Sequence, residues 1–453
     1  CFTTFCFWKI YRFKEVEKMI FKLILTCFCW IAVLPIIYGL NLGEGYIFVI
    51  IFIYFLLLFW MFIFSKNTTK IIISLLFLFT FLILDNLPSK EIFLKAGNFF
   101  IIFSAFLPSL WLLRATAITM PSVQNTQLLL SRLNAQKILS GLQVTSHFLG
   151  SVINIGSFPL LSSVLPKDSQ ISLRQSAGEA SIRGMNTAVL WSPFFVSFAV
   201  GQIYLPETSA WMGIGFGIII AIFFNLITIR FIIGKLTTNY LLDSLSCIKP
   251  IFSRLLILAI SVLLVGQIFN KTALNAIIVV VPILVIIQIL RRPETSNFIF
   301  TNLKNLIQNS GDEMLLISVS MFLGSILTNS SEIQHFVSNN VGDYFPFWMM
   351  IILLPFIVWC FSLVGVHPII TSAPILSIFG PLLSVWEAAF LMQAHLIGWC
   401  AGTAISFTSL SVLTSAENFK ISVKKLVFGP NLFATLGLVF FGALILILSN
   451  YFL

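Results

Sequence analysis

Charge is scarce in this chain. Asp, Glu, Lys and Arg make up 9% of its 453 residues, against roughly 25% in a typical soluble domain, so a water-soluble globule is excluded. Carboxylates are fewer than bases, 16 against 26, and none lies clearly inside an apolar run apart from Asp312 and Glu313 at an edge. That disfavours a cation/proton antiporter, which generally exchanges its proton on a mid-membrane carboxylate. No phosphate-cradling nucleotide loop is present, so ATP is not the direct driver of any transport. The seven cysteines (Cys1, Cys6, Cys27, Cys29, Cys247, Cys360, Cys400) show neither metal-ligand spacing nor a paired extracellular pattern. They read as small apolar packing residues. Loops are short and poor in catalytic groups, which weighs against a membrane enzyme acting on lipid-linked substrates; the chain is not expected to be an enzyme.

What fills the sequence instead is hydrocarbon: 58% of residues are hydrophobic, 48 of them Phe, and the mean hydropathy is +1.03. A helix crosses the roughly 30 Å core of a bilayer with about 20 apolar residues. Apolar runs of that order occupy 20–40, 46–64, 70–87, 92–113, 183–203, 209–232, 253–269, 272–290, 311–328, 386–413 and 427–450. Helices, which satisfy their own backbone, are the spanning elements. The run 20–40 is too long for a signal-peptide core and reads as the first span. Met19 would make a natural start, and residues 1–18 are then expected not to belong to the native protein.

Two further regions, 126–165 and 345–384, are apolar but interrupted near their midpoints by Gly, Pro, Ser, Asn and His. Each has the length of two half-depth helices and a turn. On a soluble surface a net charge of +10 would suggest nucleic acid; here the bases sit in short loops and report orientation. Lys9, Arg12, Lys14 and Lys18 place the amino end in the cytoplasm. Lys167 and Arg174 stay on that side only if 126–165 enters and returns, and Lys420, Lys424 and Lys425 only if 345–384 does the same from outside. The expected fold is therefore an all-α polytopic membrane protein with about 11 transmembrane helices and two re-entrant hairpins, carboxyl end external, in the plasma membrane of a bacterium.

Matched segments recur at a nearly constant offset. "AGNFFIIFSAFL" (96–107) parallels "SGDEMLLISVSMFL" (310–323), His147 matches His367, and "NTAVLWSP" (186–193) matches "GTAISFTS" (402–409), Thr187 falling on Thr403. The charge-derived topology makes the two repeats inverted. The expected organisation is 1–91 as an amino-terminal segment with three spans, 92–232 as repeat 1, 233–310 as connecting spans, and 311–453 as repeat 2.

Inverted repeats with broken helices have a physical use. Unpaired backbone costs several kcal/mol in hydrocarbon and is tolerated only where protein or a watery cavity covers it. At a break, one half-helix presents N–H groups suited to an anion and the other presents carbonyls suited to a cation. "SHFLGSVINIGSFP" (146–159) reads as a hairpin tip in which Ser146, Ser151, Asn154 and Ser157 are neutral ligands and His147 faces the site.

In this arrangement the chain resembles the divalent anion:sodium symporter family of the ion transporter superfamily, from about residue 90 onward. In that family each hairpin tip carries a Ser-Asn-Thr type signature. Here the first tip has "INIGS" (153–157), with Asn154 in the asparagine's place, and the second has "ITSAP" (370–374), with Thr371 and Ser372 but no asparagine. The resemblance implies a homodimer, an elevator-like motion and Na⁺ near Asn154, Ser151 and Thr371. The missing asparagine leaves the dicarboxylate substrate and the number of Na⁺ sites open.

The expected function is secondary active transport of a small anion, a carboxylate or oxyanion, coupled to Na⁺ or H⁺, with no cofactor beyond the coupling ion. Partners are the anion and the lipid bilayer; nucleic acid is not expected. The candidate site comprises the first-tip residues with Asn186, Thr187, His367, Thr371, Ser372, Thr403 and Ser406. Buried histidines and membrane Ser/Thr often serve structure alone, bonding a nearby carbonyl; the repeat pairing is what raises these above that background. Arg114, Glu179, Arg183, Glu313 and Glu417 are expected at span ends, where snorkelling explains them.

Overall fold

In a computed structural model the described residues are 22–452, apart from 41, 85–86, 135–136, 207, 209, 235–236 and, with the exception of His335, 331–345. The protein is 85% helical and has no strand among those residues. Nine helices there are long and apolar enough to cross a membrane, and four shorter apolar helices accompany them. It is an all-α, membrane-embedded protein. Gly43–Phe64 makes the point locally: only a third of its apolar window is buried, and Phe48, Phe52 and Phe59 are all more than half exposed. In water such a face would aggregate; against acyl chains it is solvated.

The chain divides into two compact units that cross the sequence boundaries at 91, 232 and 310. One takes residues up to Thr116 together with Ile277–Ser330; the other takes Ala117–Ala276 and the chain from position 331 on. In the first unit, α1 (Lys22–Ile37), α2 (Gly43–Phe64), α3 (Asn67–Ile83), α4 (Lys90–Ile101), α5 (Phe103–Ala117), α13 (Ala273–Arg291), α14 (Ser296–Asn309) and α15 (Gly311–Thr328) supply the helices. Helix α15 packs on α2, α3 and α4 through a cluster of Phe55, Phe93, Phe100 and Phe322, with Phe55 and Phe322 edge to face at 5.0 Å. The buried Tyr54 hydroxyl is satisfied by Ser318 Oγ at 2.7 Å.

The second unit contains α6 (Pro121–Ser131), α7 (Ile138–Ile153), α8 (Ser157–Ser162), α9 (Ile171–Thr187), α10 (Val196–Tyr204), α11 (Ala210–Thr228) and α12 (Thr238–Ile268). After position 345 come α16 (Phe347–Leu363), α17 (Pro368–Phe379), α18 (Val385–Ile405), α19 (Leu410–Phe419), α20 (Val423–Val427) and α21 (Pro430–Phe452). Local chemistry sets the boundaries. Pro121, Pro368 and Pro430 stand at helix starts, where a missing N–H costs nothing, and Ser384 with Glu387 forms a capping box before α18. The tightest pairings are α7 with α9, α16 with α18, and α18 with α21. Glycine permits the closest of them: a Cβ at Gly184 of α9 would overlap the Gln143 carbonyl of α7.

The span at 183–203, expected as an interrupted helix, is broken. Helix α9 stops at Thr187, a 3-10 turn covers Ala188–Leu190, and α10 begins only at Val196. The second interrupted region turns at 364–367, earlier than the expected tip at 370–374, because Gly365 takes φ +93° and Pro368 starts the next helix.

Candidate functional site

The first turn is built on Asn154. It lies between α7 and α8 with φ 56° and ψ −131°, outside the left-handed helical region and in one that glycine enters freely but residues with a Cβ rarely adopt. The neighbouring hydroxyls are committed locally: Ser151 Oγ donates to the Phe148 carbonyl and Ser157 Oγ to the Asn154 carbonyl, each at 2.8 Å. Ser146 Oγ reaches across to the Ser181 carbonyl at 2.6 Å and ties α7 to α9. No partner among the described residues takes the Asn154 amide.

At the second turn His367 caps α17, its Nδ1 accepting from the Ile369 N–H at 3.3 Å. With Nδ1 an acceptor, the neutral ring carries its proton on Nε2, and no described residue accepts it. Thr371 and Ser372 do not form the turn. They lie inside α17, both hydroxyls donating back to the Pro368 carbonyl at 3.1 and 2.8 Å.

The helix before the first turn, and the second turn itself, are each hydrogen-bonded to a break in a following helix. Between α9 and α10, Ser192 Oγ donates to the Ser151 carbonyl at 2.6 Å. Between α18 and α19, Thr408 Oγ1 donates to the Gly365 carbonyl at 2.9 Å. Ser406, buried at the second break, pairs its hydroxyl with Thr408. The helices leading into the breaks are joined by Thr403 Oγ1 donating to Asn186 Oδ1 at 2.6 Å. Helix α19 packs against the Asn154–Gly156 turn, so the second break has one turn at its leading edge and the other along its following helix.

Behind the first break lies a buried network. The Trp191 indole N–H donates to His147 Nε2 at 3.1 Å, and His147 Nδ1 faces Thr187 Oγ1 at 2.9 Å. Thr187 Oγ1 accepts from Asn225 Nδ2 at 2.9 Å; Gln143 Nε2 donates to Asn225 Oδ1 at 2.9 Å and to Thr228 Oγ1 at 2.7 Å. Arg183 then donates to Gln143 Oε1 at 3.2 Å and to Asn431 Oδ1 at 2.6 Å. Glu179, one turn earlier on α9, accepts from Gln175 at 3.0 Å. Arg114, Glu179 and Arg183 are thus not snorkelling span-end residues: they are 7%, 4% and 2% exposed. His147 faces protein on both ring nitrogens, so its place is in this network.

His395 is fully buried, with Nε2 bonded to the Ser197 carbonyl at 2.9 Å. Its ring meets Trp399 edge to face, as does that of His367. Sequence reasoning passed over Gln143, Asn225 and Asn431. Their signal was available, since an amide within an apolar run is costly unless it is partnered; their common network was not. No family model matches this chain, and no curated protein does.

Proposed function

We propose that the protein is a secondary active transporter moving a small anion, a carboxylate or oxyanion, by alternating access coupled to Na⁺ or H⁺. The observation that carries the reading is a pair of polar groups with no partner among the described residues, the Asn154 amide and the His367 Nε2–H; the second turn is bonded to the second helix break, and the first packs on the helix that follows that break. A neutral imidazole N–H and an amide NH₂ suit the oxygens of an anion, and the amide oxygen suits Na⁺. A hydroxyl in each break donates to the hairpin region before it, Ser192 to the Ser151 carbonyl and Thr408 to the Gly365 carbonyl, which supports reading the unit as two related halves. The inverted topology, eleven spans, a cytoplasmic amino end, a homodimer and membership of the symporter family belong to the same proposal.

One observation favours a second reading, a cation/proton antiporter: Glu179 is a buried carboxylate beside a buried guanidinium, and buried carboxylates exchange protons for cations. Thermal unfolding of the purified protein against dicarboxylates, citrate, sulfate, phosphate and arsenite, each in Na⁺ and in K⁺, separates the two, because a ligand of the folded state alone raises stability by mass action. Symport predicts an anion response that requires Na⁺. If Na⁺ or pH acts while every anion is silent, the antiporter reading replaces it.

A further inference from the structure

The second unit carries an apolar groove of about 740 Å³, lined on one side by Phe224, Ile227, Thr228 and Phe231 and on the other by Phe433 and Phe441. Two local departures open it. Helix α11 passes into a π-helical turn at Ile229–Ile233, and the facing helix α21 carries Gly437, where an added Cβ would meet nothing within 4 Å. Phe231 and Phe433 are 76% and 73% exposed; in a membrane-embedded chain such rings face acyl chains. Exposed bases neighbour the groove's lining residues along the chain. Arg230 sits within the π turn, its guanidinium 5.7 Å from the Phe231 ring centre, and Lys424 and Lys425 lie on the turn leading into Phe428. Glu179, the carboxylate behind Gly429, is buried and bonded to Gln175.

We infer that this groove holds an acyl chain of an anionic glycerophospholipid, whose phosphate lies against Arg230, Lys424 and Lys425. The apolar walls bury methylene groups, and juxtamembrane bases select an anionic headgroup over a zwitterionic one. The same walls are tied internally: Thr228 accepts from Gln143, and Asn431, at the start of the opposite helix, accepts from Arg183. A bound chain therefore fills the gap between two helices whose spacing the buried network requires, and the lipid stabilises the fold whether or not the protein transports anions.

The test is thermal unfolding of the full chain in detergent with added phosphatidylglycerol or phosphatidylcholine. Wild type is expected to show a saturable rise in Tm with phosphatidylglycerol and a smaller one with phosphatidylcholine. Gly437→Leu, which fills the groove, loses both responses. The triple change Arg230→Gln, Lys424→Gln, Lys425→Gln keeps a response but no longer distinguishes the lipids. Ala434→Leu on the same wall gives an independent block should Gly437→Leu fold poorly. A wild-type response retained in both groove-filling variants, or no response in wild type, overturns the assignment. So does a groove-filling variant that instead dissociates a dimer, which would make the occupant a second copy of the chain.

Discussion

The Trp191 indole N–H points at His147 Nε2 from 3.1 Å, and this one contact decides the state of the imidazole. Indole is only a donor, so Nε2 must be an acceptor and the proton resides on Nδ1, toward Thr187. At His367 the backbone N–H of Ile369 meets Nδ1 instead, and the proton resides on Nε2. His147 and His367 therefore hold opposite tautomers, one turned inward to the network and one whose donor meets no acceptor among the described residues.

Imidazole ¹⁵N shifts test this directly. With histidine-labelled protein, assigned by His147→Gln and His367→Gln, His147 is expected to show a protonated Nδ1 and His367 a protonated Nε2. Trp191→Phe should shift the His147 signals and leave those of His367 in place. The same tautomer at both sites would contradict the geometry.

Asn154 separates backbone from ligand effects. Glycine adopts such a positive φ without penalty, whereas a residue with a Cβ held in a sparsely populated region costs roughly 1–3 kcal/mol. Asn154→Gly is thus expected to hold or raise wild-type stability, and Asn154→Ala to fall below Asn154→Gly by about that amount. If the amide is a ligand, both variants lose the anion or Na⁺ response in thermal unfolding; a full response in Asn154→Gly removes it from the site.

Arg183 has amide partners on both sides and a carboxylate one turn away. Arg183→Leu leaves Gln143 Oε1 and Asn431 Oδ1 without their donor and Glu179 without a compensating charge. Breaking such a buried arrangement from one side costs about 3–5 kcal/mol. Adding Glu179→Gln should recover part of that loss. Equal destabilisation in the single and double variants would show that the two charges do not interact.

Close helix packing makes a graded prediction. A Cβ at Gly217 would overlap the Leu190 carbonyl in the 3-10 turn after α9, whereas one at Gly437 meets open space. Gly217→Ala is expected to cost about 1–3 kcal/mol by overpacking, and Gly437→Ala to leave Tm unchanged. Similar Tm values for both would mean that α11 and the first break are not in contact.

The class of molecule was legible without coordinates. Low charge and apolar runs near 20 residues admit only helices in a bilayer, because nothing else satisfies backbone groups there. The helix breaks were legible in kind, since Gly, Pro, Asn and Ser inside apolar sequence have few other uses. The sequence offered Gly150 and Gly156 for the first turn and Asn154 as a ligand, whereas the positive φ falls on Asn154.

What composition could not decide was which polar group meets which. Thr371 and Ser372 look like ligands in a string of letters, yet a helix starting at Pro368 commits both hydroxyls to its own backbone. Arg183 and Glu179 look like span-end charges, yet packing buries both, and Arg183 meets amides from two distant segments. Periodicity and charge scarcity act over a few residues and are written locally. Partnership across 40 to 248 positions, as from Arg183 to Gln143 and to Asn431, depends on how helices cross, and only the tertiary structure settles that.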